Sequence, residues 1–574
     1  MKHLLLSYLV LALLTIHPIY GYEVPTNVQK RNILLEEFTG IHCGYCPQGH
    51  AIANTLLTAK PENVYVIAIH SGNYSIPGSD EPDFRTDIGD ILDVELGASQ
   101  AGYPCGTINR HVFSGSSIIT GRADWTKNGK KIHQEDALVN LWMKSEFNGN
   151  NRELKVTVEG YYTGEVTEPS HLLNVAWTQS AIKGPQNGAA MGDEYMHQHM
   201  LRGYITQEWG DIIETPKKGE YFTRTYTYTL PNDIKGTEVK AENIEVVAFL
   251  CTDKTEVLNV TGGKPTYTNY EKPLGATLLT PMMEVKSRYA YNFFEAKLKN
   301  ESNQPITSAG FQVTINGEKQ DAAWEGHINA FETLPITIHA SPYEIKETNE
   351  YEVKLTTING QNITGNSLEG SFNSPLKGTP NITITLVTDL YADENTFVIR
   401  DRNGNIVKEF GPYITDTKAT YEETAELELD QIYCFEITDE WGDGMQLPKG
   451  SYKIYTSNQS LVEQNFSITG FGARTFFQAL SPSSISPIGI DNNTIVSFDP
   501  IHKLIEIGFK TENTGKANIS IYSITGKCLI NENIQTIAGG NSKQSISAAT
   551  LPMGIYLLNI NQDGKETTHK MIIR

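Results

Sequence analysis

The chain has 574 residues, and its 46 lysines and arginines are outnumbered by 67 aspartates and glutamates, a net charge of −21. That length exceeds one hydrophobic core and implies roughly three to five domains. The charge argues against nucleic acid as a partner and for a self-repelling soluble surface, and no interior apolar run is long enough to span a bilayer.

The one long apolar stretch comes first. Lys2 is followed by "LLLSYLVLALLTI" and then by "HPIYGY". A short basic start, an apolar run and a small residue at Gly21 read as a secretory signal over 1–21, cleaved after Gly21. The stretch has no cysteine to carry a lipid, so a lipoprotein anchor is not expected. The mature chain is therefore expected to work outside the cytoplasm, where disulfides persist.

Next comes "EEFTGIHCGYCPQGHAIANTL", which holds two of only six cysteines, Cys43 and Cys46. "NILLEEF" before the pair has the character of a buried strand. After it, Ile52, Ala53, Leu56 and Leu57 fall at helical spacing, with Pro47 in a first turn and Pro61 as the stop. "VYVIAIH" is a second apolar strand. A cysteine at a helix N-terminus is held toward its thiolate by free N–H groups and the helix dipole. Cys43 is thus the expected nucleophile and Cys46 the resolving thiol of an exchange reaction. Two other readings of the pair stay open. One is a structural disulfide that never turns over. The other is a metal site with Cys105 and His42 or His50, but it lacks the second Cys-x-x-Cys or spaced histidine pair of zinc sequences. No metal or cofactor is expected.

About sixty residues on stands "AGYPCGTINRHVF", a proline between a bulky residue and a short strand, a pattern that suits a cis-proline turn. With this loop, residues 30–115 resemble the thioredoxin superfamily. The resemblance implies an α/β fold over 22–130 in which Pro104 is the cis-proline facing the cysteines. It also implies that Tyr103 and Cys105 flank the groove for a partner protein thiol or disulfide. The chain departs from that family in lacking a Trp before the pair and an Asp in the first strand. Glu36 and Glu37 are the nearest candidates for a buried proton acceptor, and Cys105 also reads as a small buried apolar side chain.

After residue 130 the pattern becomes period two. "ELKVTVEGYY", "LLNVAWTQ", "YFTRTYTYTL" and "NIEVVAFLCT" read as sandwich strands over 131–262. Between them His197, His199 and Arg202 read as a polar loop or strand face rather than a metal set. The thioredoxin-like start followed by "YMHQHMLRG" and "WGD" resembles the family related to the 28-kilodalton outer-membrane protein of Bacteroidetes, over about 30–262. Residues 263–272 read as a linker within a further β-sandwich module, 263–376. A β-module with a "DEWGDG" turn follows over 377–482. Tested as an EF-hand, Asp439, Asp443 and Gly444 fit, but Trp441 and Gly450 fail, so the default is a tight turn.

The last eighty residues, 495–574, alternate as strands, with Asp563-Gly564 as a hairpin turn. "ISIYSITGKCL" and "PMGIYLLNI…HKMIIR" resemble the C-terminal sorting domain of type IX secretion cargo, carried by Gly526, Pro552, Gly554, Tyr556, Gly564 and Lys570. The resemblance implies the type IX machinery as a partner and a place at the cell surface, in the outer membrane or outside the cell. Cys251, Cys434 and Cys528, each in a strand of a different module, are expected to be buried free thiols. Two functions follow for the mature protein: thiol–disulfide exchange, or surface binding and adhesion with the Cys pair as a staple. Fold alone does not choose between them.

Overall fold

The computed structural model describes residues 21–214, 217–280, 291–446, 448–456, 461–465, 468–480, 494–499, 503–510, 515–523, 527–536, 541–562 and 565–573. The signal expected over 1–21 lies outside them except for Gly21, as do Gly526 and the Asp563-Gly564 turn.

β1 (Ile33–Thr39) is buried at every position, as a strand covered on both faces must be. α1 (Cys46–Ala59) follows it, and β2 (Val64–His70) returns parallel to it, from Ile33↔Val64 to Thr39↔His70. After α2 (Asp87–Glu95), β3 (Cys105–Ile108) runs antiparallel to β1, with β4 (Ile119–Gly121) outside it and α3 (Trp125–Gln134) after that. Alternation along β1 sorts the core. Ile33 and Leu35 pack with Ala53, Leu56, Trp125 and Ile132 of α1 and α3. Leu34 and Phe38 pack with Leu92 and Leu96 on the α2 side. By the same alternation Glu37 falls on the α1 face and Glu36 on the α2 face.

β5 (Val139–Asn148) and β6 (Glu153–Tyr162) open the period-two region, followed by β7 (Ser170–Gln179), β8 (Ile182–Gly184), β9 (Tyr195–His197) and β10 (Met200–Tyr204). The divide expected at residue 130 does not separate two sheets. β10 lies beside β2, β7 beside β10, and strands Ile244–Cys251 and Val257–Gly263 follow, so one sheet of nine described strands runs from β4 to Gly263. The alternation located these strands correctly, but nothing local says which later strand will cover the open edge of β2. β5, β6, Tyr221–Thr229 and Thr266–Thr268 form a second sheet. Its Val139, Phe147, Val156 and Val158 close a sandwich core on Val175, Trp177, Val246 and Ala248 of the first.

The remainder is all β. Two sheets enclose a core around Leu298, Phe311, Val313 and Leu355, and two more enclose Ile384, Phe397, Phe435 and Ile454. The expected "DEWGDG" turn leaves the strand Ile432–Asp439 through Gly442 (φ +74°) and Gly444 (φ +69°), where only glycine is unstrained. The protein is thus multidomain and mostly β. Cys251 and Cys434 are buried free thiols, but Cys528 is exposed. It opens an edge strand, Cys528–Thr536, beside a register shift that takes it out of the burying alternation.

Candidate functional site

The helix begins at Cys46, and Cys43 stands in the turn that feeds it, its carbonyl accepting the Cys46 N–H at 3.3 Å. The two cysteines form a disulfide with Cα atoms 5.4 Å apart. The peptide bond Tyr103–Pro104 is cis. Pro104 packs on the first turn of α1, where a Cβ added to Gly49 would lie 3.0 Å from its ring. The same Cβ would lie 2.5 Å from Glu37 Oε1, so Gly49 is what admits this carboxyl beneath the helix start.

The surroundings of Glu37 are polar but poor in partners. Its Oε1 is buried without a hydrogen bond, and burial holds its proton affinity well above the ordinary carboxylate range. His50 Nε2 lies 3.8 Å away, bonded to Thr39 Oγ1 at 2.8 Å, while its Nδ1 meets Tyr195 Oη at 2.8 Å. Burial pushes His50 and His197 each down to about 4, and lowers His70 as well. The cluster is therefore a buried carboxyl held toward its protonated form among imidazoles held toward their neutral form, beside a cavity of about 400 Å³ that Pro47, His70 and His197 also line. His199 turns instead to Glu245 Oε2 at 3.3 Å, and Arg202 to the carbonyls of Ile234 and Thr237.

A carboxyl with a raised folded-state proton affinity weakens the fold as pH climbs above the ordinary glutamate value, because only the unfolded chain then releases its proton. The loss runs at about 1.4 kcal/mol per pH unit until the folded value is passed. Glu37→Gln is expected to remove that slope and to stabilise the protein at neutral pH. Denaturant unfolding of both chains across this range checks it, and parallel curves would mean that Glu37 is ionised in the fold.

Cys43 does not stand open as its expected role requires. It is 2% exposed and Cys46 0%, while Gly44 and Tyr45 face solvent. A strap between β8 and β9 covers the pair. Gln186 Nε2 donates to the carbonyls of Gly40 (3.1 Å) and Cys43 (3.0 Å), and the Asn187 N–H donates to that of Ile41 at 2.8 Å. A Cβ at Gly188 (φ +79°) would lie 2.1 Å from the Gly44 carbonyl. Sequence reading missed all three residues. "GPQNG" marks a loop, but carries no sign of the loop it would cover more than 140 residues back.

Tyr103 and Cys105 do not converge on the disulfide by any bond they make. Tyr103 Oη meets Asp93 Oδ1 (2.6 Å) and Ser71 Oγ (2.9 Å). Cys105 faces the α2 core beside the Ala98 carbonyl, and burial pushes its thiol up to about 12. His42 pairs with Glu81 at 2.9 Å. In the tail, the Tyr556 hydroxyl donates to the Pro552 carbonyl at 2.7 Å, Gly554 opens the next strand and Lys570 is exposed.

A family model described as outer membrane protein Omp28 matches residues 97–268, and one described as a secretion system C-terminal sorting domain matches residues 499–574. No curated protein matches. Among solved structures, HBP35 of Porphyromonas gingivalis is 19% identical over 60% of this chain and 99% of its own, with a TM-score of 0.34. A domain of the outer membrane lipoprotein Omp28 from the same organism is 23% identical over 23% of this chain and 91% of its own, with a TM-score of 0.17. Protein AGR_C_4864 from Agrobacterium tumefaciens is 12% identical over 43% of this chain and 98% of its own, with a TM-score of 0.27. No helix among the described residues is long and apolar enough to cross a membrane. With a segment of the Omp28 family and a type IX sorting tail, the chain is an exported protein of the cell surface or outer membrane.

Proposed function

We propose that residues 22–130 carry a thioredoxin-like thiol–disulfide exchange centre, borne on a surface protein whose modules over 263–376 and 377–482 present or bind. What supports this is one juxtaposition: a Cys43–Cys46 disulfide at the start of α1, with cis-Pro104 and the Glu37 carboxyl packed on the same helical turn. In the reduced centre the Cys43 thiolate attacks a partner disulfide, forming a mixed disulfide and expelling one partner thiolate. Cys46 then gives up its proton and attacks Cys43 sulfur, releasing the second partner thiol and closing the Cys43–Cys46 bond. The reverse sequence oxidises a partner dithiol. Either direction requires the 186–188 strap to lift.

The burial of Cys43 favours a second reading, in which the pair is a staple within a binding or adhesion protein. Cys46→Ser separates the two. Exchange predicts that this variant captures a thiol probe such as glutathione disulfide through Cys43. Adding Gly188→Ala, which pushes the strap off Gly44, should speed capture at least about tenfold. If neither variant forms a mixed disulfide except on global unfolding, the staple reading stands and the exchange reading falls.

A further inference from the structure

The "DEWGDG" turn gathers carboxylates from two chain segments. Asp439 ends its strand opposite Asn395, and Glu394 immediately precedes that residue. The Glu440 N–H closes on the Glu394 carbonyl at 3.0 Å, and the turn then brings round Asp443. One oxygen from each of Glu394, Asp439 and Asp443 lies within 4.8 Å of the others. Asp439 is 4% exposed. Its Oδ1 accepts the Gly442 N–H at 2.5 Å and the Gly444 N–H also faces the carboxyl, but its Oδ2 is buried without a hydrogen-bond partner of good geometry. A buried carboxylate oxygen left without a donor is costly, and calls for a proton or a cation.

One cation is already close. Lys130 reaches over from α3, with Nζ 2.6 Å from Glu394 Oε2 and 3.0 Å from Asp443 Oδ2, and makes no bond to Asp439. A single ammonium faces three carboxyl groups. All three candidate ligands are carboxylate oxygens, which suits a hard divalent ion. The half-exposed Asp443 leaves a side open for water. Calcium accepts six to eight oxygens in irregular geometry, whereas magnesium demands a near-ideal octahedron.

The geometry points to a calcium-type divalent-cation site formed by Glu394, Asp439 and Asp443, in which the ion competes with the Lys130 ammonium for Glu394 and Asp443. Ion occupancy would then decide whether α3 is tethered to the turn by charge, or only by Trp441, which packs into the α1–α3 core. This inference is independent of the thiol chemistry.

The test is titration calorimetry of the signal-free chain with calcium chloride. The expected result is one ion per chain, with a dissociation constant on the order of 10⁻⁴ to 10⁻³ M, the range of extracellular modules, and binding of magnesium at least about tenfold weaker. Asp439→Asn should weaken calcium at least about tenfold, and Lys130→Met, by removing the competitor, should strengthen it by a similar factor. Should Asp439→Asn fail to fold, the half-exposed Asp443→Asn replaces it, with the same loss expected. No binding by either the wild type or Lys130→Met overturns the site. So does binding that none of the substitutions changes, which would be general attraction to an acidic surface.

Discussion

Arg110→Met is expected to cost the fold about 3–5 kcal/mol. Arg110 and Glu36 are 1% and 0% exposed and form a two-pronged pair, Nε to Oε2 at 2.7 Å and Nη2 to Oε1 at 2.6 Å. Thr107 Oγ1 donates to Glu36 as well, and Arg110 Nη1 donates to the Lys254 carbonyl at 3.0 Å, tying β1 to the far side of the sheet. Methionine keeps the packing against Phe249 and Trp209 but leaves the Glu36 charge buried and alone. Most of the cost is that orphaned charge rather than the lost attraction. The double variant Glu36→Gln/Arg110→Met should therefore recover more than half of it. Chemical unfolding of the four chains in a double-mutant cycle measures both numbers. A single-variant loss below about 1 kcal/mol would mean that water or a proton reaches Glu36.

Deleting residues 495–574 is expected to abolish surface delivery while leaving the other modules folded. Among the described residues, the tail's core is built from its own strands, with Ile505, Ile507, Ile519, Ile521, Leu558 and Ile560 at its centre, and its two sheets contain no strand from another module. In cells with type IX machinery, the truncated chain should cross the inner membrane and stop, with surface labelling of intact cells falling to background. The same residues fused to an unrelated exported protein should carry it outward. A truncated chain that still labels at the surface would make the tail an ordinary terminal domain.

The order strand, Cys-Gly-Tyr-Cys, helix, strand was legible because each piece writes its own period. Pro104 was legible because its neighbours mark a turn. Glu36 and Glu37 could be named but not sorted. Alternation puts them on opposite faces, and only the positions of α1 and α2 say which is which. The strap was not legible, because Gln186 bonds to Gly40 across a separation no local pattern spans. For the same reason the burial of Cys43 was invisible: a residue's exposure is decided by whatever arrives to cover it. Glu394 escaped notice because the turn was read as a single segment, while its third carboxylate comes from the neighbouring strand's start.

The continuity of the sheet across residue 130 has a practical and a historical consequence. A fragment ending there would keep both cysteines and Pro104 but lose β10, whose Met200 pairs with Ala68 and whose approach lets the Ala68 N–H reach the His199 carbonyl. Its β2 would become a bare, apolar border, the kind that recruits copies of itself into aggregates. The Gly40 and Cys43 carbonyls would lose Gln186, so any reactivity measured on such a fragment would belong to an unroofed relative. The smallest piece that shuffling could have passed between genes intact, and the smallest worth expressing, therefore runs past the last strand of that sheet at Gly263 to the second sheet's Thr266–Thr268 and the Tyr270 that packs on the shared core.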